Sequence, residues 1–485
     1  MIKSLSTLLL SVSMIGTQVS FAQRRDKNPP APEAPKPATP AQATIAEKTK
    51  KAKRIPGLFT LYRDTTTGSL MMLIKKDQFE KEFIYFSYIE NGNTTTGHNK
   101  GTFRDNKVFT IGKYFNQIEF TTVNTNFYFD PSNAISKASD ANISRAVMVS
   151  EKIIAFDEAK GEYLIEADNI FLTESLYQIK RSSGVQIGMP SFNLGALSKS
   201  KTRYDNVRNY PENTDIIVRY VYDDPSSRGS NSEAITDGRY MEVMLQHSFI
   251  EMPQNDFKPR MDDPRIGYFT TQVNDMTTTA SINYRDMIHK WNLVKKDPNA
   301  ALSEPVKPIV WWIENTTPKE FRPVIKEAIL QWNIAFEKAG FKNAVQIFEQ
   351  PDTATWDAGD IRYNVLRWTS SPEPPFGGYG PSFVNPRTGE ILGADIMLEW
   401  IFVTNRLKSQ RVFDQAGLEW LTDLKELEHH DVHGCEAGDH MHLQNLLGLE
   451  ILASTNASQA RIDSFIHQSL YYLILHEVGH TLGLN

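Results

Sequence analysis

The last ten residues of the sequence, His476-Glu477-Val478-Gly479-His480-Thr481-Leu482-Gly483-Leu484-Asn485, hold the side chains best suited to chemistry. His476 and His480 are four apart, so on a helix they share a face and can aim both imidazoles at one point. Two imidazole nitrogens at about 2.0–2.1 Å from one ion are half of a tetrahedral zinc site. Glu477 stands next to the first histidine, where its carboxylate can reach water at the ion without ligating the ion itself. Such a set performs hydrolysis: Zn2+ polarises, and the carboxylate moves protons. Gly483 follows three residues after His480, where a helix can stop because glycine accepts positive φ. The apolar run 470–475 reads as the approach turns of a buried helix.

A sharp turn at Gly483 would bring a residue three further on back toward the ion. This spacing resembles the metzincin pattern HExxHxxGxxH, matched residue by residue up to Asn485. The final histidine of that pattern would fall one position later. The third ligand is therefore expected beyond Asn485, and the 485-residue chain by itself is expected to be inactive or nearly so. A zincin whose third ligand is a distant glutamate is another enzyme reading, and Gly483 weighs against it.

The elements needed to position this helix can be read further back. Near Val306 the texture changes: residues 308–313 (Pro-Ile-Val-Trp-Trp-Ile) form a compact apolar strand. Thr317-Pro318-Lys319-Glu320 reads as a capping box, although Pro323 lets a regular helix begin only there. Ile325, Ala328, Ile329, Trp332, Phe336 and Ala339 then hold one helical face, and Gly340 ends it. With a strand at 344–348 this makes a β-α-β unit, which resembles the opening of a metzincin catalytic domain. A strand at 361–368 follows, then a run at 379–384 that its proline demotes to an edge or rim, a turn at 385–389 and a strand at 390–399. In metzincins an edge strand before the zinc helix lines the cleft and pairs with extended substrate. The resemblance gives that task to 389–399 or to the rim before it; an ordinary hairpin is the plainer alternative.

Residues 427–442 concentrate ligand types: His429, His430, His433, Cys435, His440 and His442, with Asp431, Glu436 and Asp439. Five of the chain's 11 histidines lie here. A solvated loop, a second metal site and an inhibitory thiolate at Cys435 all fit this composition, and the spacing matches no closed structural zinc motif.

The remaining sequence is of another kind. Residues 1–22 read as an export signal, with Lys3, a short apolar stretch over 5–19 and a small-x-small site before Gln23. Residues 23–54 are rich in Pro, Ala and Lys and read as a spacer. From 55 to 305 the pattern is β-rich, with strands at 69–75, 83–89, 107–111, 117–123, 216–222 and 241–249. A polar stretch at 131–142 divides this region into what reads as two subdomains. Residues 258–269 mix charges, turn formers and aromatics, as a connection lying against another domain would. No phosphate-cradling loop, nucleophile elbow or dinucleotide fingerprint occurs.

Hydrophobic content of 40% is that of a folded chain, and a net charge of −6 argues against nucleic acid as a partner. Beyond the signal no segment is a transmembrane candidate. The single cysteine, Cys435, rules out an internal disulfide in a chain read as periplasmic or extracellular. The fold class expected is α+β, with β-rich N-terminal domains over 55–305 and the first part of a metzincin-like α/β catalytic domain over 306–485. The whole resembles secreted bacterial zinc metalloproteases with an EcxA-type zinc-binding domain. That resemblance implies a zinc endopeptidase acting on protein or peptide substrates. The rival is a secreted β-rich binding or scaffold protein with a vestigial metal site.

Overall fold

In the computed structural model, which describes residues 43–180, 194–227, 232–356, 358–372, 378–400 and 436–485, the strand Glu82–Asn91 is buried on both faces. Successive side chains on a strand point to opposite sides. Phe83, Tyr85 and Ile89 therefore enter one core with Phe109, Phe120 and Phe249. Ile84 and Phe86 enter a different one with Ile250 and Phe383. A strand with two apolar faces needs something packed on each, and this dual burial joins the two halves of the fold.

The first half is an antiparallel sheet of twelve strands among the described residues. In spatial order they are Ala52–Ile55, Thr60–Asp64, Leu70–Lys75, Glu162–Glu166, Ala146–Asp157, Gln117–Val123, Phe103–Tyr114, Glu82–Asn91, Tyr240–Glu251, Asn213–Asp223 and Ala196–Leu197, with Arg203–Asn209 also paired to Asn213–Asp223. The six stretches with strand-like alternation all lie in this sheet. The polar stretch 131–142 lies outside its strands, and the chain after it returns to pair with Gln117–Val123 in the same sheet. Within the stretch read as a spacer, Thr44 and Glu47 form a capping box on the short helix Ile45–Thr49, and Ala52–Ile55 joins the sheet edge.

The second half is mixed α/β. Val345–Glu349, Ile309–Ile313, Asn364–Thr369 and Glu390–Glu399 run parallel in that order. Gly378–Tyr379 and Ser382–Val384 pair antiparallel to the outer side of Glu390–Glu399. Pro381 lies between these two short pieces, as expected for a residue that cannot donate to a ladder. Glu390–Glu399 is thus interior, and the rim before it is the edge. The helix Arg322–Gln331 connects the first two parallel strands and has Pro323 in its first turn. The capping box read at Thr317–Glu320 does not form. A 3-10 turn, Lys319–Phe321, comes first and carries no side-chain cap, because Pro323 has no N–H to offer a regular turn there.

The helix Gln459–Thr481 packs on the parallel sheet through Leu470, Leu473, Ile474 and Val478, all fully buried beside Trp311, Ile325 and Ile396. Each such side chain contributes about 1.5–3 kcal/mol of transfer free energy. A smaller sheet, Phe127–Tyr128, Thr270–Asp275 and Tyr284–Ile288, lies beyond. The described residues belong to one unit, Ala43–Asn485. Its fold is α+β and rich in sheet. No helix among the described residues is long and apolar enough to cross a membrane.

Candidate metal centre

The helix Gln459–Thr481 delivers His476 and His480 to one face, with ring centroids 4.4 Å apart. Glu477 belongs to the buried stripe instead, three residues beyond Ile474, and is fully enclosed. The two functions separate by helical phase: the imidazoles face a cavity of about 570 Å³ lined also by Trp332, Phe465, Tyr472 and Leu484, whereas the carboxylate points toward the edge of the sheet. There it lies between two glycines. A Cβ on Gly378 would sit 2.9 Å from Glu477 Oε1, and one on Gly380 would sit 2.6 Å from the Glu477 carbonyl oxygen. Tyr379, between them, has its phenol pushed up to about 12, by burial first and also by the Glu477 carboxylate. The Phe103 backbone and the Arg104 charge pull it the other way.

The helix ends in a Schellman motif. Leu484 N–H donates to the Gly479 carbonyl (3.1 Å) and Gly483 N–H to that of His480 (2.9 Å), with Gly483 at φ +100°. Trp291 Nε1 caps the Thr481 carbonyl at 2.9 Å, and Trp332 Nε1 reaches that of Leu475 at 3.1 Å. The turn carries the Leu484 carbonyl back over the helix, where it accepts a hydrogen bond from His480 Nδ1 at 2.8 Å. A carbonyl can only accept, so Nδ1 bears the proton and, in the neutral ring, Nε2 bears a lone pair. Nε2 is buried and makes no hydrogen bond among the described residues. A buried acceptor of this kind, on a ring oriented through its other nitrogen, fits a metal ligand.

Among the described residues no group of three His, Cys, Asp or Glu side chains is placed to hold an ion. His429, His430, His433 and Cys435 lie outside the described residues. His440 and His442 fall on the helix Glu436–Ser454, with their side chains outside what is described.

Several residues around the site were not singled out by sequence reasoning. Gly378 was read as the end of a loop, and Tyr379 and Gly380 only as rim, although the run Gly377-Gly378-Tyr379-Gly380 was a legible sign of close backbone approach. Tyr268 and Phe269 were read as a connection. Phe269 N–H donates to the Gly483 carbonyl at 2.8 Å, and its ring lies 5.5 Å from that of His480. No local pattern marks such a contact.

Residues 104–296 match a family described as a domain of unknown function, DUF5117. The match covers less than half of the chain and includes both Phe269 and Trp291, which touch the end of the histidine-bearing helix. No curated protein and no solved structure matches the chain.

Proposed function

We propose that this protein is a zinc-dependent endopeptidase in which His476 and His480 are metal ligands and Glu477 is the general base. The observation that carries the reading is His480. Its Nδ1–H is committed to Leu484, and its buried Nε2 has no hydrogen-bond partner among the described residues. Leaving such an acceptor unsatisfied costs about 1–3 kcal/mol, which coordination to an ion would offset.

Zinc, when bound there, supplies a Lewis acid that polarises a peptide carbonyl and makes water more acidic. Glu477 takes the proton of the attacking water and passes it to the leaving amine as the C–N bond breaks. Gly378 and Gly380 hold that carboxylate in a narrow slot. The parallel sheet with an antiparallel edge beside Glu477 supports the likeness to metzincins. It gives the substrate-pairing role to residues 378–384, because Glu390–Glu399 has neighbours on both sides.

The test is zinc content and hydrolysis of a denatured protein substrate, measured on the full-length protein. The wild type should bind about one zinc per active site and be inhibited by a chelator. Glu477→Ala should keep zinc and lose activity, whereas His480→Ala should lose both. Full activity of Glu477→Ala overturns the mechanism. A protein with both His476 and His480 replaced by alanine that still held one zinc would point to a second site at 429–442.

A further inference from the structure

We propose that the region matching the family of unknown function braces the metal site in cis, and that Phe269 is a positioning residue for the His480 imidazole. This inference rests on the zinc reading above.

The brace is a short stretch of strand-like pairing. Tyr268 and Leu484 form an antiparallel bridge, and Phe269 N–H donates to the Gly483 carbonyl at 2.8 Å. On its other side the Phe269 carbonyl accepts from His289 N–H, also at 2.8 Å. Thr271 Oγ1 lies 3.0 Å from His289 Nε2 and steadies that ring. Residues 268–269 are therefore threaded between His289 and the turn at Gly483.

The consequence for the metal site follows from the turn. Leu484 supplies the carbonyl that fixes the His480 tautomer, so whatever holds Leu484 also holds the direction of the Nε2 lone pair. The Phe269 ring adds a lateral restraint, standing 5.5 Å from the His480 ring at a tilt of 51°. A helix end left to water would not restrain its last carbonyls in this way. Here the restraint comes from a segment far earlier in the chain. A β-rich region that could be removed without consequence would have no reason to reach the metal ligand's turn.

The test compares full-length variants by zinc affinity in chelator competition and by thermal melting without metal. Phe269→Ala keeps the backbone bonds but removes the ring, and it should raise the zinc Kd about 10- to 100-fold. Phe269→Tyr should restore wild-type affinity. Val273→Ala, in the buried core of the neighbouring sheet, should lower the melting temperature and leave the zinc Kd unchanged. In cobalt-loaded protein, Phe269→Ala should alter the visible d–d bands, and Phe269→Tyr should return them. If the Kd of Phe269→Ala equals that of the wild type, or changes only as much as that of Val273→Ala, the inference is overturned. A wild type that takes up no zinc overturns the zinc reading as well, which separates the two failures.

Discussion

Gly378 faces the carboxylate of Glu477 so closely that a Cβ there would lie 2.9 Å from Oε1 and 3.1 Å from the carboxyl carbon. The obstructing atoms belong to the side chain proposed as general base. An alanine at 378 can be accommodated only if that carboxylate moves. Misplacement by about 1 Å can cost 100-fold in rate. Gly378→Ala should therefore lower kcat about 10- to 100-fold and leave the zinc content unchanged. Steady-state kinetics alongside elemental analysis checks this, and a variant with wild-type kcat would remove the slot from the mechanism.

At Gly483 the opposing atom is backbone. The residue sits at φ +100°, and a Cβ would come within 2.0 Å of the His289 carbonyl oxygen. Neither the conformation nor the clash is relieved by a rotamer change. Gly483→Ala should destabilise the fold by at least about 1–3 kcal/mol and weaken zinc binding in parallel. Denaturant titration with and without metal is the measurement; an unshifted midpoint would contradict the packing described.

Phe383 closes the seam between the two halves. Its ring stands 5.2 Å from Phe86 and 4.9 Å from Phe103, both on strands of the twelve-stranded sheet. Beside it, Asn106 Nδ2 donates to the Val384 carbonyl at 3.0 Å, and Arg387 pairs with Glu82. Removing a buried phenylalanine ring typically costs about 3–5 kcal/mol. Phe383→Ala should show that loss in urea denaturation and make the seam more open to limited proteolysis. A loss below about 1 kcal/mol would mean that the two halves do not depend on this contact.

His247 predicts acid sensitivity. It is fully buried, with Tyr85 Oη 2.9 Å from Nδ1 and Tyr220 Oη 2.8 Å from Nε2. Tyr220 donates to the Phe171 carbonyl and so accepts from Nε2–H, which leaves Nδ1 to accept from Tyr85. Burial, with the Lys107 charge, pushes this imidazole down to about 3. In the unfolded chain it titrates near about 6.5. Below that pH the unfolded state takes up a proton that the folded state refuses. The stability contributed by His247 is therefore full above about pH 6.5 and is lost as pH falls toward 3, by at most about 1.4 kcal/mol per pH unit. Stability measured from pH 7 to pH 4 should fall less steeply in His247→Gln. Equal slopes would assign the acid sensitivity to other groups.

Export makes a separate prediction. If residues 1–22 are the signal that Lys3, the short apolar stretch and the small-x-small site describe, the mature chain begins at Gln23. Intact-mass analysis of exported protein checks this. Recovery only inside the cell, with Met1 and Lys3 retained, would end the export reading.

Helical spacing is local, so the sequence alone determined that His476 and His480 share a face and that Glu477 stands beside the first of them. Strand alternation is local too. It marked Gln117–Val123 with its observed bounds and the buried strands around it, and the proline in 379–384 was enough to place an edge there. What tertiary structure alone decided is which distant groups meet these residues. Sheet order brings Gly378 and Gly380 against Glu477, and chain crossing brings Phe269 and His289 against Gly483. It also turned 82–91 into the strand shared by two cores, which alternation could not show because both of its faces are apolar. Contacts of this kind depend on how distant elements pack, and no periodicity along the chain encodes that packing.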